Sequence, residues 1–165
     1  MSHQPVIDGL EFAKAGARLQ GEWPVAEFPR LRDALRSETG TLRYELQGVP
    51  ETQGRPALRL KVEGSLQLLC QRCLGALEFP LRISVLLRLA ASQAEVDAEP
   101  VEAEGPESIA AGKAMPVRAL VEDEVLLAIP IAPRHEACTG GAAEAAGTKP
   151  TPFAALRGMI GGTRH

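Results

Sequence analysis

Cys70 and Cys73 are separated by two residues, and so are His135 and Cys138. A Cys-x-x-Cys step lets two thiols grip one ion, and the His-x-x-Cys step supplies two further donors. Together they make the Cys3His set that zinc accepts tetrahedrally. Leu74 follows Cys73 where zinc knuckles often carry glycine, and the second half brings only one thiolate. Two small buried cysteines without metal therefore stay open as the alternative. Thiol redox catalysis fits poorly, because reactive pairs of this spacing usually open a helix whose dipole lowers a thiol pKa. No Walker loop, dinucleotide fingerprint or nucleophile elbow is present, and His3 and His165 are terminal. The adjacent carboxylates Glu122, Asp123 and Glu124 would diverge around a helix, so the expectation is a non-enzymatic protein.

The elements that must position these donors are strands. Leu58, Leu60, Val62, Leu66 and Leu68 occupy even positions before the first pair; Leu77, Phe79, Leu81, Ile83, Val85, Leu87 and Leu89 occupy odd positions after it. Such alternation marks strands with one buried face. A hairpin placing Leu58 opposite Val85, Leu60 opposite Ile83 and Val62 opposite Leu81 would bury both sets together and set Cys70 opposite Cys73. A slip of one residue would turn one set into water. The outward face would carry Arg59, Lys61, Arg82 and Arg88, with Arg72 at the turn and Glu63 opposing them. Basic side chains on a sheet face can meet RNA phosphates; a solvated face with local cross-strand pairing is the alternative. Aromatic content of 4% argues against base stacking.

Around the hairpin, residues 28–36 show helical spacing of Phe28, Leu31 and Leu35, residues 41–46 alternate as a short strand, and 48–56 read as a turn. Residues 92–108 carry Glu95, Asp97, Glu99, Glu102, Glu104 and Glu107 with no basic residue. Such a stretch cannot bury enough surface to offset chain entropy, and a mobile acidic loop over 92–111 is expected. Residues 117–129, bracketed by Pro116 and Pro130, read as a helix with acids in its first half and an apolar second half that implies burial on more than one side. Residues 139–165 read as a linker and a docking tail presenting Phe153, Leu156 and Ile160. With 165 residues and a net charge of −3, one domain is expected over 1–138: α+β, dominated by an antiparallel sheet around a central hairpin, with one packed helix. No basic-then-apolar leader is apparent, and Arg82 and Arg88 interrupt the apolar runs, so a cytoplasmic protein without membrane contact is expected.

The blocks Gly64, Cys70-Gln-Arg-Cys73, residues 121–130 (VEDEVLLAIP), Pro133, His135, Cys138 and Pro152-Phe153-Ala154 occur in an order that resembles the YceD family of large ribosomal RNA subunit accumulation proteins. The resemblance implies a cytoplasmic, non-enzymatic factor needed for synthesis, processing or stability of large-subunit (23S) ribosomal RNA. Its partner would be precursor large-subunit rRNA or the assembling particle. Pro116-Val117 and Thr151 depart from the family pattern, at the helix start and before Pro-Phe. The rival expectation is an adaptor docking through Glu122, Asp123, Glu124, Phe153 and Leu156 on an RNA-processing enzyme or ribosomal protein, without touching RNA.

Overall fold

The computed structural model describes residues 4–101 and 104–138. In chain order the elements are β1 (Val6–Ile7), α1 (Gly9–Lys14), β2 (Arg18–Pro24), β3 (Leu35–Ser37), β4 (Thr41–Thr52), β5 (Arg55–Leu69), β6 (Ala76–Ala90), α2 (Gln93–Asp97), β7 (Ser108–Ala110), β8 (Met115–Pro116) and α3 (Val117–Ala128). The main sheet runs β2-β4-β5-β6-β7, with β3 beside the far end of β5. All of its pairings are antiparallel except β6 with β7. β1 and β8 form a separate small pair that brings the chain's start to the head of α3. The class is α+β.

Alternation in β5 and β6 produces two long paired strands, but their register differs from the expected one by two residues. Leu58 faces Leu87, Leu60 faces Val85 and Val62 faces Ile83. Because side chains repeat every second residue, a two-residue change leaves both apolar sets on the same face. The difference lies in the turn. Leu74 takes a left-handed conformation (φ 58°), its N–H donates to the Cys70 carbonyl at 2.9 Å, and Cys70 N–H donates to the Gly75 carbonyl at 2.9 Å. Cys70 thus stands opposite Gly75 rather than Cys73, which sits within the turn.

The inner face carries Leu42, Tyr44 and Leu46 of β4, Leu58, Leu60 and Val62 of β5, and Leu81 and Leu87 of β6, all buried. Onto the core pack Val117, Val121 and Val125, one stripe of α3 at helical spacing, with Phe28 and Leu31 from the segment before β3. Trp23 stacks on Tyr44 with ring centroids 4.3 Å apart and meets Phe28 edge-on. Leu120, Leu126 and Ala128 of α3 are partly buried against the core beside that stripe, while Leu127 is 71% exposed, so the apolar second half is not covered all round.

Other expectations also change. Residues 28–36 are not an α-helix; Pro29–Ala34 is 3-10, following a 3-10 turn at Val25–Glu27. Three residues per turn aim both Phe28 and Leu31 at the sheet. The turn expected at 48–56 shrinks to Gln53-Gly54, both with positive φ, as a two-residue hairpin of primed type demands. Gly48 is instead inside β4, where the backbone of Phe12 and Ala13 crosses so close that a Cβ would overlap it. The acidic stretch expected to be a loop contains α2 and β7. Its acids find partners remote in sequence: Arg55 meets Glu95 at 3.0 Å and Glu99 at 2.7 Å, while Arg88 meets Glu99 at 3.3 Å and the Pro106 carbonyl at 3.0 Å. The tail residues Phe153, Leu156 and Ile160 lie outside the described residues.

Candidate metal centre and charged surfaces

The β5–β6 turn and the stretch following α3 meet at one end of the sheet. Gln71 N–H donates to the Pro133 carbonyl at 2.8 Å, joining the two segments through their backbones. That contact brings Cys70, Cys73, His135 and Cys138 together, with one potential ligand atom from each lying within 4.8 Å of the others. Cys70 Sγ is 3.7 Å from Cys138 Sγ, and His135 Nδ1 is 3.4 Å from Cys73 Sγ and 3.8 Å from Cys138 Sγ. Cys70 is fully buried; the other three are partly buried. His135 Nε2 donates to the Ala76 carbonyl at 2.9 Å, which turns Nδ1 toward the sulfurs. A backbone acceptor on the far ring nitrogen is the usual way a metal-binding imidazole is oriented.

Electrostatics within the group are uneven. Burial opposes ionisation of Cys70, yet amides of Cys73, His135 and Arg72 outweigh it and bring this thiol down to about 5. The Gly75 amide favours ionised Cys73, but burial and the neighbouring sulfurs Cys70 and Cys138 push its pKa up. Cys138 is lowered, first by the Arg72 guanidinium, against burial. His135 is raised, chiefly by its contact with Cys138 and by the Ala76 carbonyl. Three crowded sulfurs resist shared ionisation unless a cation sits among them, and soft thiolates with one imidazole suit a transition-metal ion. The set can therefore hold a metal.

Arg72, expected as a phosphate contact, is instead engaged here. Its Nε donates to Cys138 Sγ at 3.0 Å, and Nη2 donates to the carbonyls of His135 at 2.9 Å and Glu136 at 3.3 Å. Arg88 is likewise committed: its side chain is 16% exposed and bound to Glu99 and Pro106. Arg59, Lys61 and Arg82 do lie exposed on the outer face of the sheet. That face is not uniformly basic. Across four strands Glu22 faces Arg43, Arg43 faces Glu63 and Glu63 faces Arg82, while Glu45 lies 4.0 Å from Lys61. Alternating charges cancel at a distance, so local pairing describes this surface better than a basic stripe does.

The three acids of α3 separate in role. Glu122 is 5% exposed and accepts from Arg30 twice, from N–H at 2.7 Å and from Nε at 2.9 Å. Asp123 accepts from Arg30 Nη1 at 2.6 Å. These two lock α3 to the 3-10 segment, a tie that sequence reading missed because nothing near Arg30 names its partner. Glu124 lies beside Glu107 on a cleft of about 360 Å³ whose apolar lining includes Leu87, Ile109, Leu120 and Leu127. Burial, then Glu107 and Asp123, raise its pKa.

Among the described residues, no helix is long and apolar enough to cross a membrane. A family model described as "Large ribosomal RNA subunit accumulation protein YceD" matches residues 58–159, a stretch containing the β5–β6 hairpin from Leu58 onward, α3 and all four donors. No curated protein and no solved structure matches the chain.

Proposed function

Because the chain belongs to the YceD family of large ribosomal RNA subunit accumulation proteins, we propose that it is a non-enzymatic ribosome-biogenesis factor, acting on precursor large-subunit rRNA or its assembling particle in the cytoplasm. The family match carries this reading: it extends over the hairpin and the donor cluster together.

In this reading the cluster holds zinc as a structural ion. Zinc–sulfur bonds of about 2.3 Å and zinc–nitrogen bonds of about 2.0 Å at tetrahedral angles place sulfurs about 3.8 Å apart and sulfur–nitrogen pairs about 3.5 Å apart. The separations of 3.7 Å, 3.4 Å and 3.8 Å support that occupant. Cys70, Cys73, His135 Nδ1 and Cys138 would be its ligands, filling every position and leaving no site for substrate. The bound ion supplies a cross-link, tying the hairpin turn to the segment after α3. Contact with the particle would come from the exposed side chains Arg59, Lys61 and Arg82.

A second reading is favoured by the cleft beside α3. Glu107 and Glu124 flank apolar side chains there, with no basic residue among its described lining. Such a surface suits a protein partner better than RNA, as an adaptor to an RNA-processing enzyme or ribosomal protein requires.

Cells lacking the gene should show reduced large-subunit rRNA and a diminished large-subunit peak on a density gradient. Wild-type protein should restore both, and Cys70→Ser/Cys73→Ser should not. An unchanged rRNA level and gradient profile would defeat the proposal. Gel shift against rRNA fragments, run beside capture from nuclease-treated lysate, separates RNA contact from the adaptor reading. Salt-insensitive binding, or none lost in Arg59→Gln/Lys61→Gln/Arg82→Gln, rules out the electrostatic contact.

A further inference from the structure

Among the described residues, the cation hydrogen-bonded to the donor cluster is Arg72. Its three contacts are divided in a telling way: one goes to a ligand sulfur and two go to the backbone that carries the remaining half of the set. Nε reaches Cys138 Sγ at 3.0 Å, and Nη2 reaches the carbonyls of His135 at 2.9 Å and Glu136 at 3.3 Å. Arg72 itself belongs to the hairpin turn, between Cys70 and Cys73. One side chain thus spans both halves of the centre.

Charge accounting gives this contact a purpose. Three thiolates, one neutral imidazole and a divalent ion leave one surplus negative charge, and Cys70 is fully buried beside it. An uncompensated charge near a desolvated group is costly. Cys138 is only partly buried, so its sulfur is open to an incoming proton, chelator or electrophile. A guanidinium N–H on that sulfur reduces its basicity, and the planar fork can hold a sulfur and two carbonyls together, which a lysine ammonium on a flexible stem cannot.

We propose that Arg72 is the outer partner of the metal centre: it offsets the surplus charge at Cys138 and holds residues 135–138 over the turn, and so governs how readily the ion leaves. The inference rests on the zinc reading above. Arg72 is a positioning residue, since a guanidinium does not ligate the ion. The same contacts commit Nε and Nη2 of Arg72 within the chain, which weakens the case for Arg72 as an RNA contact.

The test uses the full-length chain, loaded with zinc and mixed with an excess of a chromogenic chelator. Arg72→Met should bind the same amount of zinc as wild type and release it about tenfold faster, the lower end for a charge-assisted hydrogen bond because the guanidinium is exposed to water. Arg72→Lys should fall between, keeping the charge but losing the fork. Iodoacetamide labelling followed by peptide mass spectrometry should show Cys138 modified ahead of Cys70 in Arg72→Met and protected in wild type. Release and labelling at wild-type rates in a folded Arg72→Met overturn the role of Arg72. Should that variant fail to fold by circular dichroism, wild-type behaviour of Arg72→Lys overturns the fork argument instead. A wild-type chain that takes up no zinc overturns the reading beneath it, an outcome distinct from both.

Discussion

Replacing Glu122 by alanine should be among the most damaging single changes in α3, although the residue is charged and was expected on a docking surface. Glu122 is 5% exposed, and its carboxylate accepts from Arg30 N–H at 2.7 Å and from Arg30 Nε at 2.9 Å. Losing an ionised acceptor for a partly buried backbone N–H costs about 1.5–3 kcal/mol. The Nε pair adds at most about 1 kcal/mol, because the Arg30 side chain is 48% exposed. Removing the buried methylene beyond Cβ adds about 0.8 kcal/mol. The sum is about 2–5 kcal/mol for Glu122→Ala. Glu122→Gln keeps an oxygen for the N–H and most of the volume, so its cost should stay near 1 kcal/mol. In urea, with a slope of about 2 kcal/mol/M, alanine should move the midpoint down by about 1–2.5 M and glutamine by about 0.5 M. Arg30→Ala should cost less than Glu122→Ala, since it preserves the backbone donor and its acceptor. An alanine variant within about 0.5 kcal/mol of wild type, or a glutamine variant as damaged as alanine, would refute the assignment of Glu122 to the α3 lock.

Other perturbations probe different parts of the molecule. Gly48→Ala should destabilise by about 3 kcal/mol, because its Cβ would overlap the Phe12 carbonyl oxygen and lie 2.9 Å from Ala13 Cα; a thermal melt reads the loss. Glu124→Gln should stabilise at neutral pH by less than about 1 kcal/mol. Burial and the neighbouring acids raise the pKa of Glu124, so the folded state holds its proton more tightly than the unfolded state. Its favourable share is therefore complete below the ordinary carboxylate range and is lost as pH rises through the raised value; urea titrations of both proteins should converge in acid. Leu74→Gly should leave metal uptake unchanged and should not weaken the fold by more than about 1 kcal/mol, since Leu74 already sits at φ 58° where glycine is unstrained; loss of uptake would mean that its side chain, not the turn, matters.

Periodicity made the sheet faces readable from residues alone, because the side-chain repeat of two constrains both strands of the hairpin independently. It could not give the register, which depends on how many residues the turn consumes, and that in turn depends on Leu74 entering a left-handed conformation. The two donor pairs were legible as local spacings. That they converge follows from α3 packing against the sheet, which the pattern of residues 117–129 anticipated, and from the Gln71–Pro133 backbone contact, which leaves no mark in sequence. β2 was overlooked although Leu19, Gly21 and Trp23 alternate with Arg18, Gln20 and Glu22; the missing side chain at Gly21 interrupts the apolar pattern just where Tyr44 packs in its place. The charged residues were the least legible. Arg30, Arg55, Arg72 and Arg88 each spend their donors on groups remote in the chain, so a count of exposed basic positions overstates the surface left for a polyanion.

The zinc reading and the role of Arg72 both turn on four donors at one end of the sheet holding an ion, so metal content of the purified, untagged chain tests them most directly. Elemental analysis after gel filtration should find one zinc per chain in the wild type, and none in Cys70→Ser/Cys73→Ser. Metal-free protein whose three thiols react freely, and which takes up no zinc on titration, would contradict both.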